Sequence, residues 1–320
     1  MKNKLLIITP VAHIKNFLIK AKSNFKVIYL PNINKKKLKN KIKEIDFIFS
    51  NPNMSKIFLG KEIIEETKLK AICTASTGTN HIDVDLLKKK KIKLLSLTKQ
   101  YKIINQLSST AELAFGLTMN ALRNISSSSE SVKAGNWSYL PFIGRMVKSL
   151  NICSVGYGRL GKMYSKYCLS FGASVWVYDP YVRIKNKKIK IINNLKRNLN
   201  RFDVISINIH ASKRNINFFD KEIFKLLKKN IILINTSRGE VVNEEDLLIF
   251  LQKNKEAKYF GDVVSNEQQD INRNKIIKKF KKNSKQILIT PHIGGMTSDG
   301  QKLAYDHALN MLINFDKKNA

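Results

Sequence analysis

Short apolar runs separated by helix-length polar stretches recur along the whole chain, and this alternation restricts the fold more than any other feature of the sequence. The first two runs, residues 5–9 and 26–30, are each followed by a proline, and three more lie at 47–49, 71–74 and 92–95. Runs this short and this apolar are typical of strands buried on both faces of a parallel sheet. The first part of the chain is therefore predicted to be an α/β domain.

A second series of such runs follows a long apolar helix that is predicted over residues 111–125 and opens at the capping-box spacing Ser109 to Glu112. The six runs of this series are residues 149–155, 174–178, 204–209, 231–235, 259–263 and 287–290. Six strands are what a complete doubly wound dinucleotide-binding sheet needs. The chain has 320 residues, enough for two cores, so we expect an α/β protein with two Rossmann-like, doubly wound parallel-sheet domains.

The composition is strongly basic, with 58 Lys and Arg against 24 Asp and Glu and a formal net charge of +34. Such a surface attracts polyanions in general. The lysines, however, are spread through nearly every segment and come with Ile and Asn rather than with Arg and interleaved aromatic residues, which favours a solvated compositional bias. Nucleic acid is therefore not an expected partner, whereas acidic metabolites are.

Targeting and metal signals are weak. The apolar run near the start, Leu5 to Thr9, is short, and no run reaches membrane-spanning length, so we expect a cytoplasmic protein with no membrane partner. The three cysteines, Cys73, Cys153 and Cys168, form an odd set without metal-ligand spacing. They are predicted to be reduced core thiols, and no metal site is expected.

The turn after the run 149–155 carries the pattern Gly-x-Gly-x-x-Gly. Gly156 allows a tight turn, Gly158 lets the backbone approach a pyrophosphate, and Gly161 allows close packing of the following helix, whose N-terminus faces the anion. Asp179 ends the next strand, where a carboxylate meets the adenosine ribose hydroxyls and repels the 2′-phosphate of NADP. The predicted NAD site thus comprises Gly156, Tyr157, Gly158, Arg159, Leu160, Gly161 and Asp179.

Three later strands are followed by Arg238, Glu267 and His292, respectively. Because the carboxyl ends of parallel strands face the ligand crevice, we expect these side chains to converge. A cation can hold a carboxylate and polarise a carbonyl, a histidine can exchange the alcohol proton, and a carboxylate can keep that histidine protonated. His210 ends a strand beside the predicted cofactor site and is expected to line it. The remaining histidines, His13, His81 and His307, are assigned to structure.

Several motifs, in this order and spacing, resemble those of the D-isomer-specific 2-hydroxyacid dehydrogenase family. They are residues 76–83, 156–161 and 237–239, Glu267, and residues 291–295, and together they cover nearly the whole chain. The resemblance implies an enzyme that moves a hydride between NAD and C2 of a small 2-hydroxy or 2-oxo acid. 3-Phosphoglycerate is one candidate substrate among several, because Ser50 to Asn53 lacks the arginines that phosphoglycerate-specific members carry there.

The resemblance also implies roles for single residues. Arg238 binds the substrate carboxylate and carbonyl, His292 is the acid–base, and Glu267 pairs with it. The backbone amides of Ser76, Thr77 and Gly78 are offered to the substrate carboxylate. Asp262 lies near the nicotinamide carboxamide, and the further cofactor contacts are assigned to Thr236, Ser237, Gly294 and Gly295.

The resemblance also implies the domain organisation. A substrate domain is formed by residues 1–98 and 291–320 and includes a helix over residues 297–315. It is interrupted in the sequence by an NAD-binding Rossmann domain of residues 99–290. Family members are commonly dimers through this domain, so a homodimer is expected, with the helix after Thr110 taking part. The sequence departs from the family at Gln268 and Ser212, each of which stands where a proline is usual.

Two other interpretations remain open at this point. Adenosylhomocysteine hydrolase also uses a Gly-Tyr-Gly turn and keeps NAD bound, but it lacks the arrangement of Arg238, Glu267 and His292. A corepressor or basic nucleic-acid-binding protein built on the dehydrogenase fold would account for the charge. The intact set of candidate catalytic residues counts against it.

Overall fold

The computed structural model describes residues 2–51, 55–267, 270–282 and 285–319. The chain divides into two compact units, unit 1 with Met1–Leu107 and Met296–Ala320, and unit 2 with Ser108–Gly295. The sequence predicted the boundaries after residues 98 and 290, whereas the two units divide after residues 107 and 295. Ile104 is buried in the core of unit 1, and the main-chain N–H groups of Ile293 and Gly294 donate to Asp262 of unit 2, so packing and hydrogen bonding move both boundaries towards the C-terminus.

Unit 1 contains a five-stranded parallel sheet, and every strand overlaps a predicted run and extends at most one residue beyond it. In chain order the strands are β1 (Lys4–Ile7), β2 (Lys26–Tyr29), β3 (Phe47–Phe49), β4 (Ala71–Cys73) and β5 (Lys93–Leu95), arranged β2-β1-β3-β4-β5. The helices are α1 (Phe17–Asn24), α2 (Lys35–Lys41), α3 (Lys61–Ile64), α4 (Val84–Lys89), α5 (Tyr101–Ile104) and α12 (Ser298–Lys318). One apolar core holds Phe17 and Leu309, and a second holds Leu38 and Ile63, so both sheet faces are covered.

Unit 2 contains seven parallel strands. They are β6 (Asn151–Val155), β7 (Ser174–Tyr178), β8 (Lys190–Ile191), β9 (Val204–Ile207), β10 (Ile232–Asn235), β11 (Lys258–Gly261) and β12 (Ile287–Ile289). The helices are α6 (Ser109–Arg123), α7 (Ile125–Lys133), α8 (Arg159–Ser170), α9 (Lys221–Phe224), α10 (Glu244–Lys253) and α11 (Lys275–Lys282).

The strand order of unit 2, β12-β11-β10-β9-β6-β7-β8, corrects the predicted count of six strands. The additional strand β8 has two residues, both exposed, and therefore leaves no apolar run in the sequence. Together with β7, β6, β9, β10 and β11 it gives the order 3-2-1-4-5-6 of the doubly wound dinucleotide fold, and β12 extends that sheet by one strand. The predicted fold class is confirmed.

The start of α6 differs from the prediction. Ser108, not Ser109, is the N-cap residue, and its hydroxyl donates to Glu112 Oε1 at 2.5 Å and accepts no main-chain N–H of the first turn, so the predicted capping box is wrong. The hydroxyl of Thr110 donates to the carbonyl oxygen of Gly294 at 3.0 Å. The first turn of α6 is thereby tied to the segment that follows β12.

The three cysteines are free and buried, as predicted. Burial raises the pKa of all three thiols, that of Cys168 to about 12. They stay protonated at neutral pH and act as small apolar core residues.

Two absences concern the described part of the chain. None of its helices has both the length and the apolar character required to cross a lipid bilayer. The same residues contain no group of three or more His, Cys, Asp and Glu side chains placed to hold a metal ion.

Candidate active site

The carboxyl ends of three neighbouring strands of unit 2 carry the predicted catalytic residues. Arg238 follows β10, Asp262 follows β11 directly, and His292 follows β12. Adjacent strands lie about 4.8 Å apart, so the segments that leave these strand ends are close neighbours. Glu267 lies on the loop that leaves β11.

His292 and Glu267 form a direct pair. The imidazole Nδ1 lies 2.7 Å from Glu267 Oε2, and the side chains are 48% and 28% exposed. The other oxygen, Oε1, accepts the N–H of Val264 at 3.1 Å. The hydrogen bond to Glu267 raises the pKa of His292, and burial lowers it. The negative charges of Glu267 and Asp262 raise this pKa further, and the positive charge of Arg238 lowers it. His292 thus keeps its proton to higher pH than an ordinary histidine.

Arg238 lies just beyond the end of β10, the strand next to β11. It is positioned through Asn235, which is fully buried at the end of β10. Asn235 Oδ1 accepts from the N–H and hydroxyl of Ser237 at 3.0 and 2.9 Å, and its Nδ2 donates to the carbonyl oxygen of Arg238 at 3.0 Å. The Arg238 Nη1 donates to the carbonyl oxygen of Ser237 at 2.6 Å. The structure therefore brings His292 and Glu267 into direct contact and holds Arg238 at the neighbouring strand end, and their catalytic roles stay a prediction.

Gly239 explains the closeness of the β10 and β11 loops. A Cβ on this residue would lie 1.9 Å from the carbonyl carbon of Val264 and 2.2 Å from the nitrogen of Ser265. Only glycine permits this main-chain approach, which sets Arg238 beside the loop that carries Glu267. The roles of Asn235 and Gly239 were missed from the sequence, although the Asn-Thr-Ser-Arg-Gly run after a strand marks their position.

Asp262 organises the segment that carries His292. Its carboxylate is buried, and Oδ1 accepts from the Thr290 hydroxyl at 2.5 Å and from the Ile293 N–H at 2.8 Å, while Oδ2 accepts from the Gly294 N–H at 2.7 Å. Burial raises the pKa of Asp262 above its ordinary value, although the hydrogen bonds from Thr290, Ile293 and Gly294 lower it. Within this segment His292 has a left-handed backbone with φ 55°. Asp262 therefore fixes an unusual turn, and its predicted contact with nicotinamide stays a prediction.

The glycine turn between β6 and α8 has the geometry that a dinucleotide requires. Gly156 has φ 98°, and a Cβ there would lie 2.5 Å from the carbonyl oxygen of Asn208. A Cβ on Gly161 would lie 2.2 Å from the carbonyl oxygen of Gly156. Gly158 is exposed, and a Cβ on it would have no neighbour within 4 Å. Two glycines are thus fixed by packing and the third leaves open space before the helix, which fits the pyrophosphate of NAD.

Asp179 is engaged with the main chain in a way that the sequence did not indicate. Its Oδ2 accepts the N–H of Tyr157 at 2.7 Å, and its Oδ1 accepts those of Tyr181 and Val182 at 2.9 and 3.1 Å. The carboxylate therefore lies against the glycine turn, at the end of β7 where a ribose is expected. Its one remaining acceptor lone pair, on Oδ2, suits a ribose hydroxyl.

The other predicted cofactor residues lie in the same unit. Tyr157 is buried, with Lys162 Nζ 5.7 Å from its ring centroid, and Arg159 and Leu160 are half-buried at the start of α8. His210 is exposed after β9, and its carbonyl oxygen accepts from Asn215 Nδ2 at 2.9 Å. Thr236 and Ser237 follow β10, and Gly294 and Gly295 follow His292.

The predicted substrate-binding residues Ser76, Thr77 and Gly78 lie in unit 1, directly after β4 and Thr74. The hydroxyl of Ser76 donates to the carbonyl oxygen of Gly78 at 2.5 Å, and that of Thr98 donates to the carbonyl oxygen of Thr77 at 3.0 Å. Both bonds brace the loop from within unit 1.

The loop after β3 was predicted to bear on substrate choice. Asn51 Nδ2 donates to the hydroxyl of Tyr305 at 2.8 Å, and its Oδ1 accepts from Thr74 at 3.2 Å. Pro52 and Asn53 lie outside the described residues, as does Gln268.

The histidines assigned to structure lie in unit 1. His13 Nε2 is 2.9 Å from Gln301 Oε1, and His307 Nε2 is 3.0 Å from Gln100 Oε1. His81 is 3% exposed, and burial lowers its pKa to about 4. His81 is therefore neutral at physiological pH.

Comparison with known proteins agrees with this geometry. The family model described as "D-isomer specific 2-hydroxyacid dehydrogenase, NAD binding domain" matches residues 115–294. A D-3-phosphoglycerate dehydrogenase of Methanocaldococcus jannaschii is 27% identical over 276 residues, which is 85% of this chain and 50% of that protein, so the chain spans about half of that relative's length. A hydroxypyruvate reductase of Thermotoga maritima is 28% identical over 243 residues, 75% of this chain and 76% of the relative.

Among solved structures, a D-lactate dehydrogenase from Aquifex aeolicus complexed with NAD and lactic acid matches with a TM-score of 0.81 and 25% identity, over 99% of this chain and 96% of that one. The family match covers more than half of the chain, from within α6 to Gly294, and includes the glycine turn, Arg238, Glu267 and His292. The chain therefore belongs to the D-isomer specific 2-hydroxyacid dehydrogenase family, and unit 2 contains its NAD-binding domain.

Proposed function

We propose that the chain is an NAD-dependent D-2-hydroxyacid dehydrogenase that interconverts a small 2-oxo acid and its 2-hydroxy acid. The observation that carries this proposal is the 2.7 Å contact of His292 with Glu267, and the close approach of Gly239 to Val264 sets Arg238 beside the loop that carries Glu267. A polarising cation and a histidine held protonated are what carbonyl reduction needs.

In this proposal, bound NADH supplies the hydride that forms the new C2–H bond. Arg238 holds the substrate carboxylate and polarises the carbonyl oxygen. Because Nδ1 of His292 faces Glu267, the proton for the substrate oxygen leaves from Nε2, and the former C2=O bond becomes a C2–OH. Glu267 stabilises the imidazolium before transfer. In the oxidation direction, neutral His292 takes the hydroxyl proton.

The main-chain amides of Ser76, Thr77 and Gly78 are proposed to bind the substrate carboxylate, which makes unit 1 the substrate domain. Asn51 brings no positive charge to the loop after β3 and is already bonded to Tyr305 and Thr74. Small unphosphorylated acids therefore suit the site, and 3-phosphoglycerate remains one candidate. An NADH-oxidation screen over pyruvate, glyoxylate, hydroxypyruvate and 3-phosphohydroxypyruvate tests this assignment.

The test of the catalytic roles uses His292→Ala and Arg238→Ala, with His307→Ala as the control histidine in unit 1. The first two variants should lose turnover while fluorescence titration shows unchanged NADH affinity, and the control should keep turnover. Normal turnover at saturating NADH in either of the first two variants would contradict the roles assigned.

We further propose a cytoplasmic homodimer that associates through unit 2. Residues 137–146, here called the apolar arm, expose Trp137, Tyr139, Leu140, Ile143 and Met146, each at least 65% accessible. The arm is anchored at Arg145, whose N–H donates to the carbonyl oxygen of Leu122 and whose guanidinium pairs with Asp203. So much exposed apolar surface in one segment is typical of an interface.

Light scattering on the purified chain should give twice the monomer mass, and Ile143→Glu should give the monomer. A wild-type chain that is monomeric at micromolar concentration would refute the dimer. Cell fractionation tests the cytoplasmic location.

A further inference from the structure

The loop that carries Glu267 is tied at both ends to one carboxylate on α10. Glu244, the first residue of α10, accepts the N–H of Ser265 at Oε1 over 2.7 Å and the side-chain Nδ2 of Asn274 at Oε2 over 2.8 Å. Asn274 Nδ2 also lies 3.3 Å from the carbonyl oxygen of Ser265. Ser265 precedes Glu267 by two residues and Asn274 follows it by seven, so a single side chain closes the loop.

The orientation of Asn274 is fixed by a second contact. Its Oδ1 accepts the N–H of Ile277, in the first turn of α11, at 3.1 Å. Turning the amide over would give up that bond, so the NH₂ group has to face Glu244. Both partners of Glu244 are therefore donors, and an ionised carboxylate, which has acceptors at both oxygens, matches them.

Glu244 differs from its neighbour Glu245. Glu244 is half-buried, and its pKa is raised because burial outweighs the hydrogen bonds to Ser265 and Asn274, which lower the pKa; the charge of Glu240 adds to the rise. Glu245 is exposed and pairs with Lys275 on the surface. Acidic residues in the first turn of a helix are common because they suit the helix dipole. Burial and two directed bonds mark Glu244 as more than that.

We propose that Glu244 is a positioning residue that holds the Glu267 loop so that Glu267 stays bonded to His292. The inference rests on the proposed catalytic role of this pair and adds a residue from α10 to it. The link runs through the main chain: Ser265 is held by Glu244, and the preceding residue, Val264, donates its N–H to Glu267 Oε1. Releasing Ser265 therefore loosens both oxygens of Glu267, and the hydrogen bond that raises the His292 pKa weakens.

The test compares Glu244→Gln with Glu245→Gln, which removes the same charge from the next position of the same helix. The first readout is an NMR titration of the imidazoles in the protein without NADH, where His292 is one of five histidines and is assigned by His292→Ala. We expect the His292 pKa to fall towards its ordinary value in Glu244→Gln and to stay in place in Glu245→Gln. The Asn274→Asp variant described below leaves the charge of Glu244 in place and adds a second negative charge, so a fall of the His292 pKa in that variant reports the loop and not a lost charge.

The second readout is the pH profile of kcat/KM for reduction. Its basic limb should move to lower pH in Glu244→Gln, with kcat/KM lower by roughly ten- to a hundredfold above that limb, because the acid is misplaced and less protonated. The NADH dissociation constant should not change. A merely structural role would lower the melting temperature without moving the limb.

A rescue variant completes the test. Glu244→Gln combined with Asn274→Asp keeps the net charge and reverses the donor and acceptor, so part of the lost His292 pKa shift should return. If Glu244→Gln fails to fold, Asn274→Asp alone sets two carboxylates against each other and should lower the His292 pKa by the same route. An unchanged His292 pKa in these single variants overturns the inference. Turnover that survives His292→Ala would instead overturn the proposed function, and the NMR result would still stand.

Discussion

Gly158→Ala separates cofactor binding from folding more cleanly than any other substitution in the glycine turn. Gly158 is the N-cap residue of α8, with φ −66° and ψ −164°, an extended conformation open to alanine. A Cβ there meets no atom within 4 Å. Alanine is a somewhat poorer N-cap than glycine, but it also restricts the unfolded chain, so the free energy of unfolding should change by less than about 1 kcal/mol.

The effect on NADH should be large because the added methyl group fills the space that the pyrophosphate is proposed to enter. A hydrogen bond from a main-chain N–H to a charged phosphate contributes about 1.5–3 kcal/mol, and losing one raises a dissociation constant roughly ten- to a hundredfold. The dissociation constant of NADH should therefore rise by that factor, whereas kcat at saturating NADH should fall much less, since Arg238 and His292 lie at other strand ends.

The assay is a fluorescence titration of NADH, together with a urea unfolding curve for the same sample. The matched control is Gly116→Ala, in the interior of α6, where a Cβ also has no neighbour within 4 Å. At this position alanine should stabilise the helix by roughly 1 kcal/mol, and the dissociation constant of NADH should not change. An unchanged NADH affinity in Gly158→Ala would refute the placement of the pyrophosphate at this turn.

Three further predictions concern other parts of the chain. Because Glu267 raises the pKa of His292, reduction should persist to higher pH than an ordinary histidine allows. Glu267→Gln should therefore move the basic limb of the kcat/KM profile to lower pH. A limb that stays in place would exclude Glu267 as the cause of the raised pKa. His81 has a folded pKa of about 4 against 6.5 unfolded, so its contribution to stability is complete above pH 6.5 and is lost as the pH falls towards 4. The loss amounts to about 3 kcal/mol, and urea unfolding at pH 7 and pH 4.5 should show a weaker pH dependence in His81→Asn. Gly239→Ala places a Cβ 1.9 Å from the carbonyl carbon of Val264. This clash should lower the unfolding free energy by about 1–3 kcal/mol in urea unfolding and lower kcat/KM by roughly a hundredfold in steady-state kinetics. Full activity would contradict the close approach of the loops that follow β10 and β11.

Most of the fold could be predicted because its strands are buried on both faces and leave continuous apolar runs. Every strand of unit 1, and every strand of unit 2 except β8, overlaps such a run and extends at most one residue beyond it. β8 was missed because an exposed edge strand of two residues has no apolar signature. The capping prediction at α6 was wrong because it rested on the Ser109 to Glu112 spacing, whereas in the structure Ser108 is the N-cap residue and its hydroxyl donates to Glu112, a side-chain contact that the spacing does not reveal.

The site shows a different limit. Arg238, Glu267 and His292 could be identified because each follows a strand, and strand ends share one edge of the sheet. The residues that hold them in place follow no such rule. Asn235 and Asp262 are polar residues at strand ends whose role is set by which main-chain groups the neighbouring loops present. Their partners become known only when the loops have a conformation.

Glu244 illustrates the physical reason. In the sequence it is the first of three acidic residues at a helix start, Glu244, Glu245 and Asp246, and the helix dipole accounts equally for all of them. Glu244 differs from the other two because two hydrogen-bond donors point at its carboxylate. They are the side-chain NH₂ of Asn274, whose orientation is fixed by the N–H of Ile277, and the main-chain N–H of Ser265. A carboxylate with two directed bonds limits the positions that Ser265 and Asn274 can take, and the proposed role of His292 as proton donor requires that its partner Glu267 be held in place. Candidate catalytic residues can thus be proposed from chemistry and strand topology, whereas the residues that position them are defined by hydrogen-bond directions, which the order of residues does not contain.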